Sequence, residues 1–354
     1  MRLNLTLSKP AKTRLIFPAL LLALLLPLTS GHAFTGLYVF GDSLSDTGRN
    51  PATPSTSYYN GRFCNGPLWV EYLSAQLGLT YNAANNFAVS GSTTSNLLSQ
   101  IAGLTPSPNL ATGLFTLASG GNDILINSPT VGVNDAAWGV VVTNAFRNMT
   151  NAISAIYTSG GREILVGNLA FLGKTPSFLD TPAGYSNYID SKVAIYNLLL
   201  ASGLTNVVKY SPGLRIYALD LNQAFTNILN SPSTYGFTVT SNGALEDPKL
   251  TDKSFTGPGA NYVFWDSIHP TTKVDTLTAA HAFADVSPQM TVPHTGSQSN
   301  LTVLNLYPGL PYTIQTSTNL LTWTDYQTVT PASTNAAVVW TNGVKPKLFY
   351  RVKY

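Results

Sequence analysis

The sequence GLYVFGDSLS, at positions 36–45, contains an apolar run that ends abruptly in small and polar residues. The run 36–40 is rich in aliphatic and aromatic residues at successive positions, which is typical of a strand buried on both faces. Similar runs occur at 86–90, 114–119, 163–168 and 214–220. Strands of this kind predict a parallel sheet, because helices cover both faces of such sheets.

Helix-compatible stretches separate these strands, and they lie at 68–77, 136–157, 188–203 and 222–230. Alternation of strand and helix implies right-handed crossovers, with helices on both sides of the sheet. The sequence therefore predicts a three-layer α/β domain over residues 34–286.

The composition changes after about residue 286. From there to the end Asp325 is the only acidic residue, and short apolar runs alternate with turn-forming residues. Short strands at this spacing predict a small β-sandwich over 300–354. The segment 287–299 contains two prolines and a glycine and is interpreted as a linker.

The first 33 residues differ from the rest of the chain in charge. They carry four of the 19 cationic residues, none of the 16 acidic ones, and a Leu-rich run interrupted by prolines. This pattern, with the exit Gly31-His32-Ala33, describes a secretory signal peptide cut after Ala33, whereas a transmembrane anchor needs a longer uninterrupted run. The remaining chain is nearly neutral, with 15 cations against 16 anions. We therefore expect a secreted or extracytoplasmic protein with no stable membrane span and no nucleic-acid partner.

Few residues are suited to metal or acid–base chemistry. Cys64 is the single cysteine, so no intramolecular disulfide can form, and without His-x-x-x-His or Cys-x-x-Cys patterns no metal site is predicted. Cys64 has no histidine beside it in the sequence and is interpreted as a semi-buried packing residue. Of the histidines after the signal segment, His281 lies within a helical stretch and His294 in the linker, which leaves His269.

His269 lies in the sequence DSIHP, at positions 266–270. Pro270 disfavours helical geometry at the residue before it and suits the first position of a helix over 270–284. His269 is therefore expected on a loop just before that helix. A carboxylate three residues upstream can fix the imidazole tautomer, so Asp266 and His269 form either a catalytic pair or a structural one.

Three polar motifs directly follow predicted strands. They contain Ser43, Gly91 and the sequence GGND at 120–123. The carboxyl ends of parallel strands share one edge of a sheet, where ligands bind. Ser43 is therefore a candidate nucleophile with His269 as its base. The backbone N–H groups of Ser43 and Gly91 and the side-chain amide of Asn122 are candidate oxyanion donors.

The blocks GDSL (41–44), AVSGST (88–93), GND (121–123) and DSIHP (266–270) resemble, in order, the four blocks of the GDSL (SGNH) hydrolase family. The segment NGRFCNGPLWV at 60–70 is similar to its lipase/esterase branch, except that Cys64 stands where serine is common. The resemblance covers about residues 35–285. It implies a flavodoxin-like sheet and ester hydrolysis through an acyl-enzyme, without a cofactor.

The same resemblance implies a role for each block residue: Ser43 as nucleophile, His269 as base, Asp266 as the carboxylate that orients it, and Gly91 and Asn122 as oxyanion donors. Aromatic residues near these blocks are candidates to line an acyl pocket or to pack in the core: Tyr58, Tyr59, Phe63, Trp69, Phe171, Phe178, Tyr185 and Tyr188.

Three functions stay open at this point. The first is a serine esterase or lipase acting on a lipid or a short-chain acyl ester. The second is a carbohydrate acetylesterase acting on acetylated polysaccharide, with the C-terminal module as a glycan contact. The third is a non-catalytic surface protein in which the β module carries the function. The tail, at 312–320 and 349–352, resembles small β-sandwich modules of secreted bacterial proteins, which indicates a shape but no activity.

Overall fold

The computed structural model describes residues 34–50 and 57–287, together with short stretches between 289 and 353. The predicted signal peptide, 1–33, lies outside the described residues. A parallel sheet forms the centre, and its strands pair in the order β1 (Leu37–Gly41), β2 (Leu114–Ala118), β3 (Glu163–Gly167) and β4 (Arg215–Leu219). A short parallel pair, β5 (Val239–Gly243) and β6 (Tyr262–Phe264), follows.

Helices cover both faces of the sheet, which confirms the predicted three-layer α/β architecture. They are α1 (Trp69–Gln76), α2 (Leu97–Ile101), α3 (Gly121–Val131), α4 (Asp135–Thr158), α5 (Pro176–Leu179), α6 (Tyr185–Tyr210), α7 (Leu221–Asn230) and α8 (Thr272–Val286). Alternate side chains of β2 enter different cores: Leu114 packs in the cluster of α1 and α8, and Phe115 in the cluster of α2, α4 and α6. Within the described residues, each helix is too short or too polar to cross a lipid bilayer.

The predicted strand at 86–90 is wrong as a regular strand. Only Asn86 forms a β-bridge, with Val39, although the segment runs beside β1 and donates two backbone hydrogen bonds to it. The amides of Ala88 and Ser90 are bound by side chains instead of a further strand, so no ladder develops. Counted as the second strand, this edge segment gives the 2-1-3-4-5 order of flavodoxin-like sheets.

Helix α3 was not predicted, because its glycine start and internal Pro129 are typical of a loop. Helix α6 extends beyond the predicted 188–203 at both ends. These differences lengthen the helical layer without changing the order of the elements.

Antiparallel strands follow α8. They are β7 (Gln289–Thr291), β8 (His294–Thr295), β9 (Gln298–Asn300), β10 (Thr302–Leu304), β11 (Tyr312–Ser317), β12 (Thr324–Val329), β13 (Thr341–Gly343) and β14 (Phe349–Lys353). They pair as three small sheets, in the orders β10–β7, β12–β11–β14 and β13–β9–β8. Strands β7 and β8 lie within 287–299, the segment interpreted as a linker, and β9 begins there and ends at Asn300.

Candidate active site

The chain leaves β1 through Gly41, which brings the following loop to the carboxyl edge of the sheet. Gly41 has a φ of 152°, and a Cβ there would collide with the carbonyl oxygen of Ala118 in β2. The side chain of Gln100 holds both backbone groups of Gly41, accepting from its N–H at 3.0 Å and donating to its carbonyl at 2.8 Å. The loop that carries Ser43 is thus fixed from two sides.

The side chains of Ser43, His269 and Asp266 form one hydrogen-bonded chain. His269 Nε2 lies 2.8 Å from Ser43 Oγ, and His269 Nδ1 lies 2.7 Å from Asp266 Oδ2. Since an ionised carboxylate only accepts hydrogen bonds, Nδ1 carries the ring proton and Nε2 accepts from the serine hydroxyl. The structure therefore brings together the three residues that the sequence analysis singled out as nucleophile, base and orienting carboxylate.

Asp266 accepts four hydrogen bonds. Oδ1 accepts from the backbone N–H groups of Ile268 and His269, and Oδ2 accepts from His269 Nδ1 and from the hydroxyl of Tyr58. Burial acts to raise the pKa of this carboxyl, but the hydrogen bonds and charge of His269, with the backbone donors, outweigh burial and lower the pKa. Asp266 therefore stays charged beside the imidazole.

The loop that carries His269 ends two residues later than predicted. Helix α8 begins at Thr272, not at Pro270. The reason is that Pro270 bridges Phe264 of β6, and the N–H of Thr271 donates to the carbonyl of Val263, also in β6. These contacts keep the backbone extended after His269 and anchor it to the sheet edge.

The candidate oxyanion donors are joined to the serine loop through side chains. Gln100, which holds Gly41, also donates to Ser92 Oγ, and the side-chain amide of Asn122 donates to the carbonyl of Ser92 at 2.9 Å. Gly91 has a φ of 81°, a left-handed conformation that favours glycine. Across residues 34–50 and 57–287, neither the Ser43 nor the Gly91 N–H donates to another backbone carbonyl. Both N–H groups therefore remain candidate oxyanion donors.

Three contacts at the site were not predicted. Tyr58 donates to Asp266, as described above, and the ring of Phe63 stacks on the imidazole of His269 with centroids 4.8 Å apart. Asp123 accepts from the N–H and hydroxyl of Thr94 and so ties the start of α3 to the loop after Gly91. The block at 60–70 pointed to Phe63 and GND pointed to Asp123, but no motif pointed to Tyr58.

A cavity of about 120 Å³ lies beside these residues. Its lining includes both chain neighbours of Ser43, both chain neighbours of His269 and the residue before Asn122: Asp42, Leu44, Ile268, Pro270 and Gly121. Among the aromatic residues proposed as pocket candidates, Trp69 and Phe171 line this cavity and the other six do not. Burial raises the pKa of Asp42 to about 6.

Comparison with known proteins gives a match along the α/β region. The family model described as GDSL-like lipase/acylhydrolase matches residues 37–282. A GDSL esterase/lipase of Arabidopsis thaliana is 26% identical over 327 residues, which cover 73% of this chain and 84% of the relative. The phosphatidylcholine-sterol acyltransferase of Aeromonas hydrophila is 31% identical over 232 residues, which cover 60% of this chain and 66% of the relative.

Among solved structures, an acetylxylan esterase from Geobacillus stearothermophilus aligns with a TM-score of 0.43 at 14% identity, over 73% of this chain and 95% of that one. An extracellular lipase from Streptomyces rimosus aligns with a TM-score of 0.40 at 18% identity, over 72% of this chain and 100% of that one.

Proposed function

The chain belongs to the GDSL-like lipase/acylhydrolase family and is a carboxylic ester hydrolase, and from this premise we propose that it is an exported serine esterase or lipase. The observation that supports a serine mechanism is the unbroken chain from Ser43 Oγ through both nitrogens of His269 to Asp266 Oδ2, with steps of 2.8 and 2.7 Å. A charged carboxylate, an imidazole in the right tautomer and a hydroxyl are the parts that activate a serine.

In this mechanism Ser43 Oγ attacks the ester carbonyl while His269 Nε2 takes the hydroxyl proton. Asp266 stabilises the resulting imidazolium, which then gives the proton to the departing alcohol. Water attacks the acyl-enzyme with His269 again as base, and the carboxylic acid leaves.

Negative charge that develops on the carbonyl oxygen is stabilised by the N–H groups of Ser43 and Gly91 and by the amide of Asn122. Asn122 uses one amide hydrogen to bind the Ser92 carbonyl, which leaves the second for the oxyanion. The bond to Ser92 holds the amide in place before substrate binds, so little reorganisation is needed.

The test is Ser43→Ala, with the exposed Ser99→Ala on α2 as its matched control. We expect Ser43→Ala to lower kcat for a p-nitrophenyl ester by about 10³-fold or more with an unchanged circular dichroism spectrum. A fluorophosphonate probe should label Ser43 in the wild type and in Ser99→Ala, and nothing in Ser43→Ala. Near-normal hydrolysis by Ser43→Ala would contradict the proposal.

Export rests on residues 1–33, whose basic start, apolar core and small-residue exit describe a signal peptide. N-terminal sequencing of the protein made in a bacterial host checks this. We expect a chain that begins at Phe34 in the periplasm or medium, and retention of Met1 in the cytoplasm would contradict export.

A further inference from the structure

The cavity beside the candidate site is placed to receive the acyl part of an ester. It borders the chain neighbours of Ser43 and His269, although the lining does not include Ser43 and His269 themselves. It continues between α7, α8 and the loop after β3, through a lining that is mostly apolar, as at Leu169, Leu221, Phe225 and Ile228, but that includes polar side chains such as Asn168 and Asp275. An environment of this kind suits a hydrocarbon chain and gives a sugar hydroxyl few partners.

The volume of the cavity limits the length of the acyl chain that it can hold. At about 120 Å³ it approaches the roughly 150 Å³ of an apolar cavity that holds benzene, a molecule of six carbons. An acetyl group would place one methyl there and leave most of the space unfilled. Each additional CH₂ buried in an apolar site is worth about fourfold in affinity.

We propose, on the basis of the serine mechanism above, that this enzyme is specific for medium-chain acyl esters with about six carbons in the acyl group. Acetyl esters, including acetylated glycans, are poor substrates because they leave the cavity unfilled. Much longer chains exceed the cavity and gain nothing from the added carbons.

The full-length protein is assayed with p-nitrophenyl esters from acetate to palmitate. We expect kcat/KM to rise by about 10²-fold from acetyl to hexanoyl, from four buried CH₂ groups, and to level off or fall beyond octanoyl. A preference for acetyl, or for acetylated xylan over all the p-nitrophenyl esters of longer acids, would overturn the proposal. If Ser43→Ala hydrolyses hexanoyl esters like the wild type, the serine mechanism itself fails, which is a separate result.

Filling the cavity with a larger side chain should change the dependence of kcat/KM on acyl chain length. Ala224 is buried in the cavity wall, so we expect Ala224→Phe to lower hexanoyl kcat/KM by about tenfold or more and acetyl kcat/KM by less than about threefold. Thr278→Phe, on the α8 wall, is the second variant if Ala224→Phe fails to fold. The control is Ala280→Phe, on the exposed face of α8, which should leave the profile unchanged. An unchanged profile in the folded wall variants would refute the cavity as the acyl site.

A second, independent observation concerns Tyr58. Its hydroxyl donates to Asp266 Oδ2 at 2.7 Å, the same oxygen that accepts from His269 Nδ1. Its ring packs against Phe63 with centroids 4.9 Å apart, and Phe63 in turn stacks on the imidazole of His269. Tyr58 and Phe63 therefore contact each other and one member each of the His269–Asp266 pair.

We infer that Tyr58 is a positioning residue that adjusts the base strength of the His269–Asp266 pair in the serine mechanism. A donor on Oδ2 draws negative charge away from the imidazolium. Without the tyrosine hydroxyl the carboxylate supports the protonated imidazole more strongly, so the pair loses its proton at a higher pH. The ring of Tyr58, which packs on Phe63, stays in place in a phenylalanine variant.

The test is Tyr58→Phe, with the neighbouring Tyr59→Phe as its control. We expect Tyr58→Phe to lower kcat by about tenfold with little change in KM, and to move the acid limb of the kcat/KM profile upward by about half a pH unit. Tyr59→Phe should change neither. A loss of activity without movement of the acid limb, or an equal movement in both variants, would refute the inference while leaving the serine mechanism intact.

Discussion

Two buried aspartates on the two sides of the start of α8 have opposite electrostatics. Asp266 and Asp275 are nine positions apart, and their exposed fractions are 5% and 4%. Asp266 accepts four hydrogen bonds, one of them from an imidazole, and its pKa is lowered. Asp275 accepts from the N–H of Trp69 at 3.1 Å and from the thiol of Cys64 at 3.4 Å, and burial raises its pKa to about 8.

The difference shows that the partners of a carboxylate, not its burial, decide its charge. Both groups pay a desolvation penalty when ionised. At Asp266 a basic ring and a turn of backbone N–H groups offset that penalty. At Asp275 one amide and a weak thiol donor do not, so the group is neutral at mildly acidic pH. The catalytic edge of the sheet therefore keeps a charge, while the contact between α1 and α8 holds a neutral acid.

Among substitutions at the two aspartates, Asp266→Asn is expected to have the largest effect on activity. The amide keeps the shape but carries no charge, and it can present N–H to His269 Nδ1, which favours the wrong tautomer. We expect kcat for a p-nitrophenyl ester to fall by about 10³–10⁴-fold with the fold retained. Asp275→Asn is the matched control, since it makes the same chemical change at the other aspartate. Because Asp275 lines the proposed acyl cavity, both variants are compared on p-nitrophenyl acetate, whose acyl group does not fill that cavity, and Asp275→Asn should keep activity within about threefold. Comparable losses in both variants would mean that Asp266 acts only as a structural group.

The contrast between the two aspartates also shows what the sequence could predict. Asp266 and His269 are three positions apart beside a proline, so local spacing placed them on one loop, and strand order placed Ser43 at the same edge. Asp275 has the position of an ordinary helix acid, and its partner Cys64 is 211 positions away. Only the packing of α1 against α8 brings the two together, and no local pattern encodes that packing.

The incorrect predictions about the fold have the same origin, namely long-range contacts that no local pattern encodes. Residues 86–90 have the composition of a strand, but tertiary partners such as Asp46, which accepts from the Ser90 N–H and hydroxyl, replace the ladder. Pro270 has the local preference of a first helical residue, but its bridge to β6 delays the helix. Cys64, interpreted as semi-buried, is fully buried in the apolar cluster of α1 and α8, where its thiol donates to Asp275.

A smaller effect is expected for stability in Asp275→Asn. The folded pKa of Asp275, about 8, lies above its ordinary value of 3.8, so the native state binds more protons than the unfolded state between these values. The free energy of unfolding therefore falls as the pH rises through that window. Asparagine cannot ionise, so the Asp275→Asn variant does not lose stability as the pH rises through this window. We expect the Tm of the variant to exceed that of the wild type by roughly 3 °C or more at pH 8.5 and to match it near pH 4. Thermal unfolding followed by circular dichroism at a series of pH values measures the gap. A difference in Tm between the variant and the wild type that does not grow with pH would contradict a neutral Asp275.

The smallest effect is expected for Cys64→Ser, which strengthens the donor beside Asp275 and leaves the catalytic pair unchanged. A hydroxyl is a better donor to a carboxylate than a thiol, so the serine should stabilise the charged form and lower the pKa of Asp275. The Cys64→Ser variant should then lose less stability at alkaline pH than the wild type does. We expect the Tm of the variant to lie about 1–2 °C above that of the wild type at pH 8.5 and to be equal or slightly lower at pH 5. Cys64→Ala removes the donor and should have the opposite sign at pH 8.5, with an additional pH-independent loss from the small cavity it leaves. If serine and alanine shift the Tm in the same direction at every pH, the thiol only fills space, and the neutral state of Asp275 follows from burial alone.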